Sequence, residues 1–432
     1  MLWSIGRGDG FMGAQGLAAG LDFGTSNSAI GFVRDGAPVL HRFEDGRTLV
    51  PSALFYSEDE RALLFGTQAE ACFLAEDDGR YLRALKSILG TSLTEERTIL
   101  GGRPWPFRQL LLRFVAFLKA DVERREGASL TTLVAGRPVR FNDDPERDAE
   151  AEAYLHGIFR DAGFSRVRFV YEPVAAMIDA GDLMEDPRLV MVADIGGGTS
   201  DFSVARWHPV GTGSSENRFE ILANFGVRIG GTDLDRRISL DTAMPLLGLG
   251  SQTRSLTSKE ILPVPASYFS DLATWHKIHL FYSAKNRSEI VDIQRLALEP
   301  EKIDRLLHVM DRRLGHRLAA RVEALKIRLG SGGETTLALP DLDGAPAPVV
   351  DESRLRHAIR HELESLRHAV THTLELAGVD ARDIDHMVLT GGTTLLPVVR
   401  DTLAAGVPGA KLVSSDPFCG VVNGLAKAAA VK

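Results

Sequence analysis

Cysteine is nearly missing from this chain. Only Cys72 and Cys419 occur, far apart and without CxxC spacing, so neither a disulfide framework nor a cysteine zinc site is available. Both read as buried or idle thiols. Basic charge is not in excess: 50 Lys plus Arg stand against 58 Asp plus Glu, giving a formal charge of −8, so no net positive field draws the chain to nucleic acid or an anionic bilayer. Long apolar runs are absent. The most apolar stretch, Leu110 to Leu118, is interrupted by Arg113 and falls far short of the ~20 residues that cross a bilayer. Residues 1 to 20 are rich in glycine and small residues and lack a basic start followed by an apolar run, so they do not resemble a secretory signal. A reducing, cytoplasmic location is expected. No GxxxxGK[ST] loop occurs, and Gly8 to Gly13 fits GxGxxG without a strand before it, which leaves a dinucleotide fingerprint unsupported. Asn286-Arg287-Ser288 matches a glycosylation acceptor, a chance match without a secretory route.

What is present is ordinary globular composition over 432 residues, 44% hydrophobic and 25% charged, with 42 Gly. At ~150 residues per domain that length suggests two to four domains. After a loose leader, strands and helices alternate. A strand and glycine turn (Leu21 to Val33) precede a helical insert, a long amphipathic helix (Phe107 to Arg125), a strand (Thr131 to Ala135), a helix (Glu146 to Gly163) and strands at Val167 to Tyr171 and Leu189 to Asp194. Gly211 to Ser215, Gly330 to Gly333 and Asp341 to Pro348 read as loops. The spacing predicts one helix over residues 351 to 377, stopped by Gly378, and then a strand over His386 to Leu389. On that helix His357, His361, His368 and His372 lie opposite the apolar stripe of Leu355, Ile359, Leu366 and Val370, which favours a solvated face over a metal site. Arg312, Arg313, Arg317 and Arg321 read as another wet helical face.

Leu189 to Trp207 repeats the first element: an apolar strand ending in Asp, a glycine turn, then another apolar strand. Leu21-Asp22-Phe23-Gly24-Thr25 matches Ala193-Asp194-Ile195-Gly196-Gly197-Gly198-Thr199 about 170 residues on, which points to duplicated lobes. An aspartate at a strand end can face a magnesium ion or its waters, while the glycines offer backbone N–H groups that no side chain blocks to a polyphosphate. Read alone, each copy is also an ordinary hairpin turn. As a pair they suggest a clamp, with Asp22, Gly24, Thr25 and Ser26 as one jaw and Asp194, Gly196, Gly197, Gly198 and Thr199 as the other.

These residues carry a resemblance. LDFGTSNSAIGF (Leu21 to Phe32), DIGGGTSDFSV (Asp194 to Val204) and VLTGGTTLLPVV (Val388 to Val399) resemble the first phosphate, second phosphate and adenosine motifs of the DnaK-type heat-shock protein 70 chaperones. The resemblance implies an α/β, actin-like ATPase fold: two duplicated ribonuclease-H-like lobes around a nucleotide cleft, each with an inserted subdomain. It places lobe I at 21–190 with a helical insert at about 51–128, and lobe II at 191–432 with an insert at about 236–349, after a flexible leader at 1–20. Tyr171 to Ala176 is similar to the family's hinge helix, whose glutamate sits by the attacking water, and Arg83 to Gly90 to the segment whose lysine points at the γ-phosphate. Glu172 then orients water and Lys86 stabilises transferring charge; without the resemblance they read as a helix-start carboxylate and a surface lysine.

Gly136-Arg137-Pro138 and Arg147 fall where the family carries the proline and arginine of its interdomain switch. Gly230-Gly231-Thr232-Asp233-Leu234-Asp235 resembles its glycine-glycine-glutamate-aspartate element with Thr232 for the glutamate. Glu323 to Leu329 resembles the adenine-flanking helix, with Gly330 for a serine that bonds adenine, implying weaker affinity or base selectivity. The resemblance further implies bound ATP or ADP with Mg²⁺: Asp22 and Asp194 hold the hydrated metal, Asp194 and Thr199 act with Lys86 and Glu172 in a weak hydrolysis of ATP to ADP and phosphate, and Glu323, Lys326, Gly391, Gly392 and Thr393 surround adenosine. Slow hydrolysis would drive lobe rotation. Because the sequence stops one short helix after Asp416-Pro417-Phe418, no peptide-binding domain is expected, as in truncated YegD-type relatives. Client or co-chaperone proteins are the implied partners, unidentified, with no nucleic acid and no membrane. A sugar-type small-molecule kinase and an actin-like filament protein are the alternatives.

Overall fold

Short apolar strands pair into two sheets of the same design. The computed structural model describes residues 17–430 apart from 76, 84, 143, 185–187, 209–218, 256–259, 343, 415 and 417. Strands β1 (Leu17–Phe23), β2 (Asn27–Arg34) and β3 (Ala37–Leu40) form an antiparallel meander, and β4 (Leu130–Arg137) and β5 (Arg166–Tyr171) extend it in parallel, in the order β5-β4-β1-β2-β3. The second sheet repeats this with β6 (Leu189–Ile195), β7 (Ser200–Trp207), β8 (Phe219–Val227), β9 (His386–Thr390) and β10 (Lys411–Ser414), in the order β8-β7-β6-β9-β10 and with the same strand senses. β6 reads LVMVADI and is buried at nearly every position, as a strand covered on both faces must be.

Parallel additions need crossovers, and helices supply them. α1 (Phe107–Glu126) precedes β4, α2 (Pro145–Asp161) joins β4 to β5, and α3 (Glu172–Ala180) follows β5. α4 (Gly231–Thr242) and α5 (Gly315–Leu329) follow β8. α6 (Arg360–Ala377) precedes β9, α7 (Pro397–Gly406) joins β9 to β10, and α8 (Gly420–Ala430) comes after β10. Local chemistry sets several ends. Asp144 caps α2 by accepting from the N–H groups of Glu146 and Arg147, and Gly127 closes α1 in the left-handed region at φ 63°.

One core fills the first sheet's outer side with Phe23, Phe114 and Phe159, and a second, larger one joins β6 and β7 to α4 through α7. A third lies between the sheets. There α3 and α8 bring Val174, Met177 and Leu425 against Val134 of β4, Val192 of β6 and Val388 of β9. The two helices touch through backbone: a Cβ on Gly424 would lie 1.8 Å from the Ala175 carbonyl oxygen. Among the described residues no helix is long and apolar enough to cross a membrane.

Several expectations need correction. Residues 1–16 of the expected leader lie outside the described residues, but 17–20 belong to β1; Gly20 there permits the close approach of α8, since a Cβ on it would lie 2.3 Å from the Ala426 nitrogen. The insert at about 51–128 is not wholly helical, because Ala53–Ser57, Ala62–Phe65 and Gly79–Arg83 form a three-stranded sheet. The single helix over 351 to 377 is two, Glu352–Ala358 and α6, broken at Ile359, whose backbone turns while its side chain stays fully buried. Arg312 and Arg313 occupy a turn between helices, Arg313 at φ 51°, and so share no helical face with Arg317 and Arg321. Of the four histidines, three are exposed, and His372 packs edge-on against Phe225 at 4.7 Å.

Candidate functional site

The two glycine turns face one another. Gly24, Thr25 and Ser26 link β1 to β2, and Gly196 to Thr199 link β6 to β7, closed by the Gly196 N–H donating to the Thr199 carbonyl at 2.9 Å. A Cβ on Gly197 would sit 2.5 Å from Ser26 Oγ, so the two loops touch and a larger residue there would turn the Ser26 hydroxyl aside. The first turn is braced from behind: Ser52 donates its Oγ–H to the Gly24 carbonyl at 2.7 Å and its N–H to the Ser26 carbonyl at 2.8 Å. Thr25 and Ser26 are half-buried, while Gly198 and Thr199 are exposed.

Four carboxylates and one ammonium collect beneath the turns. Lys86 Nζ donates to Glu172 Oε1 at 2.6 Å, with side chains only 10% and 15% exposed. Glu172 starts α3 where β5 ends, and the absence of a side chain on Gly136 of β4 makes room for it, because a Cβ there would lie 3.2 Å from Glu172 Cγ. Burial pushes Asp22 up to about 7, aided by Glu172 and opposed by Lys86. Asp194 is held well above the usual carboxylate range by burial and then by Glu172, Asp201 and Asp22. Asp201, cross-strand partner of Asp194, is pushed up to about 6 by burial and Glu172, with a hydrogen bond from Thr199 acting the other way. Burial works against the charge on Lys86, but Glu172 and Asp22 more than restore it and its pKa lies above the ordinary value. The cluster therefore lacks cationic charge, and its donors are hard oxygens, the chemistry a Mg²⁺ ion requires. Among the described residues no three His, Cys, Asp or Glu side chains are placed to hold a metal together. Such an ion fits through its waters and phosphate oxygens, as Asp22 and Asp194 are expected to hold it.

The remaining predicted residues gather around the second turn. Gly231 donates its N–H to the Gly196 carbonyl at 2.9 Å, and Thr232 donates both N–H and Oγ–H to the Gly197 carbonyl at 2.8 Å. A Cβ on Gly230 would fall 2.4 Å from the Gly198 nitrogen. Thr232, standing for the expected glutamate, is thus tied to the turn. Gly391, at φ 83°, abuts β6, where a Cβ would lie 2.3 Å from the Ile195 carbonyl, and Thr393 donates to the Gly196 carbonyl at 3.2 Å. Gly392 lies against Phe418. Lys326, on α5, donates to the Gly231 carbonyl at 3.0 Å and to Asp235 Oδ2 at 2.8 Å, while Glu323 one turn earlier is exposed. Gly330 faces Leu395, and with Ile327 66% and Leu395 45% exposed the expected base-binding end is apolar.

Sequence reasoning gave no role in the site to Asp201, Ser52 or Asp235, and read Gly136 only beside the switch residues Arg137 and Pro138. Asp201 had a signal: period-two alternation in an antiparallel hairpin puts it directly opposite Asp194. Asp235 is pushed up to about 6 by burial, and its Oδ1 has no hydrogen-bond partner. The switch residues separate. Arg137 bonds Asp148 and Glu152 and lies over the rings of Phe141 and Tyr171 at 5.0 and 5.2 Å, whereas Arg147 is exposed on α2.

Comparison with known proteins bears on this cleft. Residues 97–243, which include Glu172, Asp194, Asp201 and Gly231, match the family model described as Hsp70 protein. Over 397 residues, 90% of this chain, the sequence is 24% identical to the chaperone protein DnaK in each of two strains of Ureaplasma parvum serovar 3, covering 54% of that protein. The chain spans about half the length of the curated relatives it matches. About a third of the chain thus resembles Hsp70 protein, and most of it is distantly similar to DnaK.

Proposed function

We propose that this protein is an ATP-binding, chaperone-like member of the actin-like ATPase fold, with two ribonuclease-H-like lobes around the cleft and slow, Mg²⁺-dependent hydrolysis that sets the angle between them. The contact of the Gly197 turn with Ser26 carries the reading, since it joins two equivalent sheets through loops suited to one polyphosphate. The equal topology of the sheets and the Hsp70-type match support it.

In this reading the N–H groups of Gly24 to Ser26 and of Gly196 to Thr199 bind phosphate oxygens from two sides, with the Thr25 and Thr199 hydroxyls beside them. Asp22 and Asp194 hold a hydrated Mg²⁺, which when bound offsets the charge of phosphates and carboxylates together. Lys86 stays protonated, donates to Glu172 and lies where phosphoryl charge develops. Glu172 accepts from a water and aims it. Asp201 steadies Thr199 through their hydrogen bond. Gly391 and Gly392 give a flat surface to adenosine, with Glu323, Lys326, Gly230, Gly231 and Thr393 around it. The rotation proposed for the lobes is a hinge-type change about α3 and α8. Client or co-chaperone proteins would read it.

Titration calorimetry with ATP, with and without Mg²⁺, tests the reading in the protein and in Asp194→Ala. Mg²⁺-dependent binding that the variant loses by at least tenfold is expected. Undiminished binding in the variant rejects the clamp, and ATP consumption stimulated by a hydroxylated metabolite would move the assignment to a small-molecule kinase.

A further inference from the structure

Each glycine turn has a hydroxyl residue standing behind it, supplied by an element outside the turn. For the first it is Ser52, which follows the short strand Val50–Pro51 and precedes Ala53–Ser57, the buried central strand of the insert's three-stranded sheet. Its N–H and Oγ–H hold the Ser26 and Gly24 carbonyls at 2.8 and 2.7 Å. Ser28 Oγ lies 2.8 Å from the same hydroxyl, and since the single Ser52 hydroxyl proton goes to Gly24, Ser28 is the donor of that pair. This chain from Ser28 through Ser52 to Gly24 is closed to water, with the two serines 1% and 2% exposed. For the second turn it is Thr232, in the first turn of α4 and itself exposed, whose N–H and Oγ–H both go to the Gly197 carbonyl at 2.8 Å.

Pinning a carbonyl does more than satisfy it. A trans peptide is planar, with its C=O and the next N–H on opposite sides, so a carbonyl drawn backwards commits the following N–H to the other direction. Ser52 thereby turns the Thr25 N–H away from the buried insert, and Thr232 turns the Gly198 N–H away from its own hydroxyl. Among the described residues the N–H groups of Thr25, Ser26 and Gly198 have no hydrogen-bond acceptor.

We propose that Ser52 and Thr232 are positioning residues, one for each jaw, which set the peptide planes of the two turns so that their free N–H groups are aimed before a polyphosphate arrives. The proposal rests on the nucleotide reading above and adds what preorganises it, because donors fixed in advance need no reorganisation when charge reaches them. Without its hydroxyl a turn still forms, but its peptide rotates and the N–H faces elsewhere for part of the time. The loss then falls on phosphate and not on the base.

Competition against Mg²⁺-ADP carrying a fluorophore on adenine C8 measures the affinities of Mg²⁺-ATP and of adenosine, which has the base without the phosphates. Ser52→Ala should weaken Mg²⁺-ATP about tenfold, and Thr232→Val, which keeps the shape and the N–H bond, about threefold, with adenosine held to within about twofold in both. Thr232→Ser keeps the hydroxyl and should bind Mg²⁺-ATP within about twofold of the unaltered chain. The exposed Thr232 pair decides the matter if Ser52→Ala fails to fold. Undiminished Mg²⁺-ATP binding in the folded variants that lack a hydroxyl, an equal loss of Mg²⁺-ATP and adenosine, or a Thr232→Ser as weak as Thr232→Val each overturns the positioning role alone. Failure of the unaltered protein to bind either nucleotide overturns the nucleotide reading with it.

Discussion

Asp22 and Asp201 are costly residues for an empty cleft. With their pKa raised to about 7 and about 6 from the ordinary 3.8, the folded chain binds more protons than the unfolded one between about pH 4 and pH 7. Stability of the ligand-free protein therefore falls as pH rises through that window, the reverse of a salt-bridged aspartate. Thermal denaturation at pH 5, 6 and 7.5 should show a declining Tm, and a rising one would contradict the buried carboxylates. Mg²⁺-nucleotide affinity should climb over the same range, because the ion competes with these protons. Asp201→Asn removes one poorly solvated charge, so at pH 7.5 its Tm should rise by about 2–4 °C, the shift of about 1 kcal/mol in a domain of this size, while hydrolysis drops. At the other end, Gly330 offers no hydroxyl to a base and its neighbours Ile327 and Leu395 are apolar. Competition binding should find ATP and GTP within about tenfold of each other, and Gly330→Ser should widen the gap in favour of ATP.

Turns and strands were readable where composition changes abruptly, as at Asp22-Phe23-Gly24 and Asp194-Ile195-Gly196, because glycine marks the turn and alternation marks the strand beside it. The segments around Asp194 and Gly391 could be found in sequence, and the fold brings them together with Gly231 at Gly196, whose carbonyl accepts from both Gly231 and Thr393. Breaks that preserve hydrophobic period were not legible. Leu355, Ile359 and Leu366 keep helical spacing across the kink at Ile359, and nothing local betrays the turn at Arg313. The small sheet inside the first insert was hidden because its central strand, Ala53–Ser57, is buried throughout and lacks alternation. Asp235 could not be singled out, since its environment comes from Lys326, 91 residues away. Contacts between elements can be tested at Gly424. Alanine there must displace the Ala175 carbonyl from 1.8 Å, forcing α3 and α8 apart at a cost of about 1–3 kcal/mol or more, and urea denaturation should show a lower midpoint.

At the scale of the molecule, the apolar layer of α3 and α8 is, among the described residues, where both sheets share a core. In the proposed reading, relative motion of the halves is a rolling of those helices with the layer kept dry. The same helix α8 has a consequence for biosynthesis. It packs on β1 through Gly20 and on β2 through Gly31, although some 400 residues of sequence lie between. β1 and β2 thus leave the ribosome some 400 residues ahead of the helix that covers them, and their inner face stays uncovered for that interval. Such a face depends on helpers or on haste to escape aggregation.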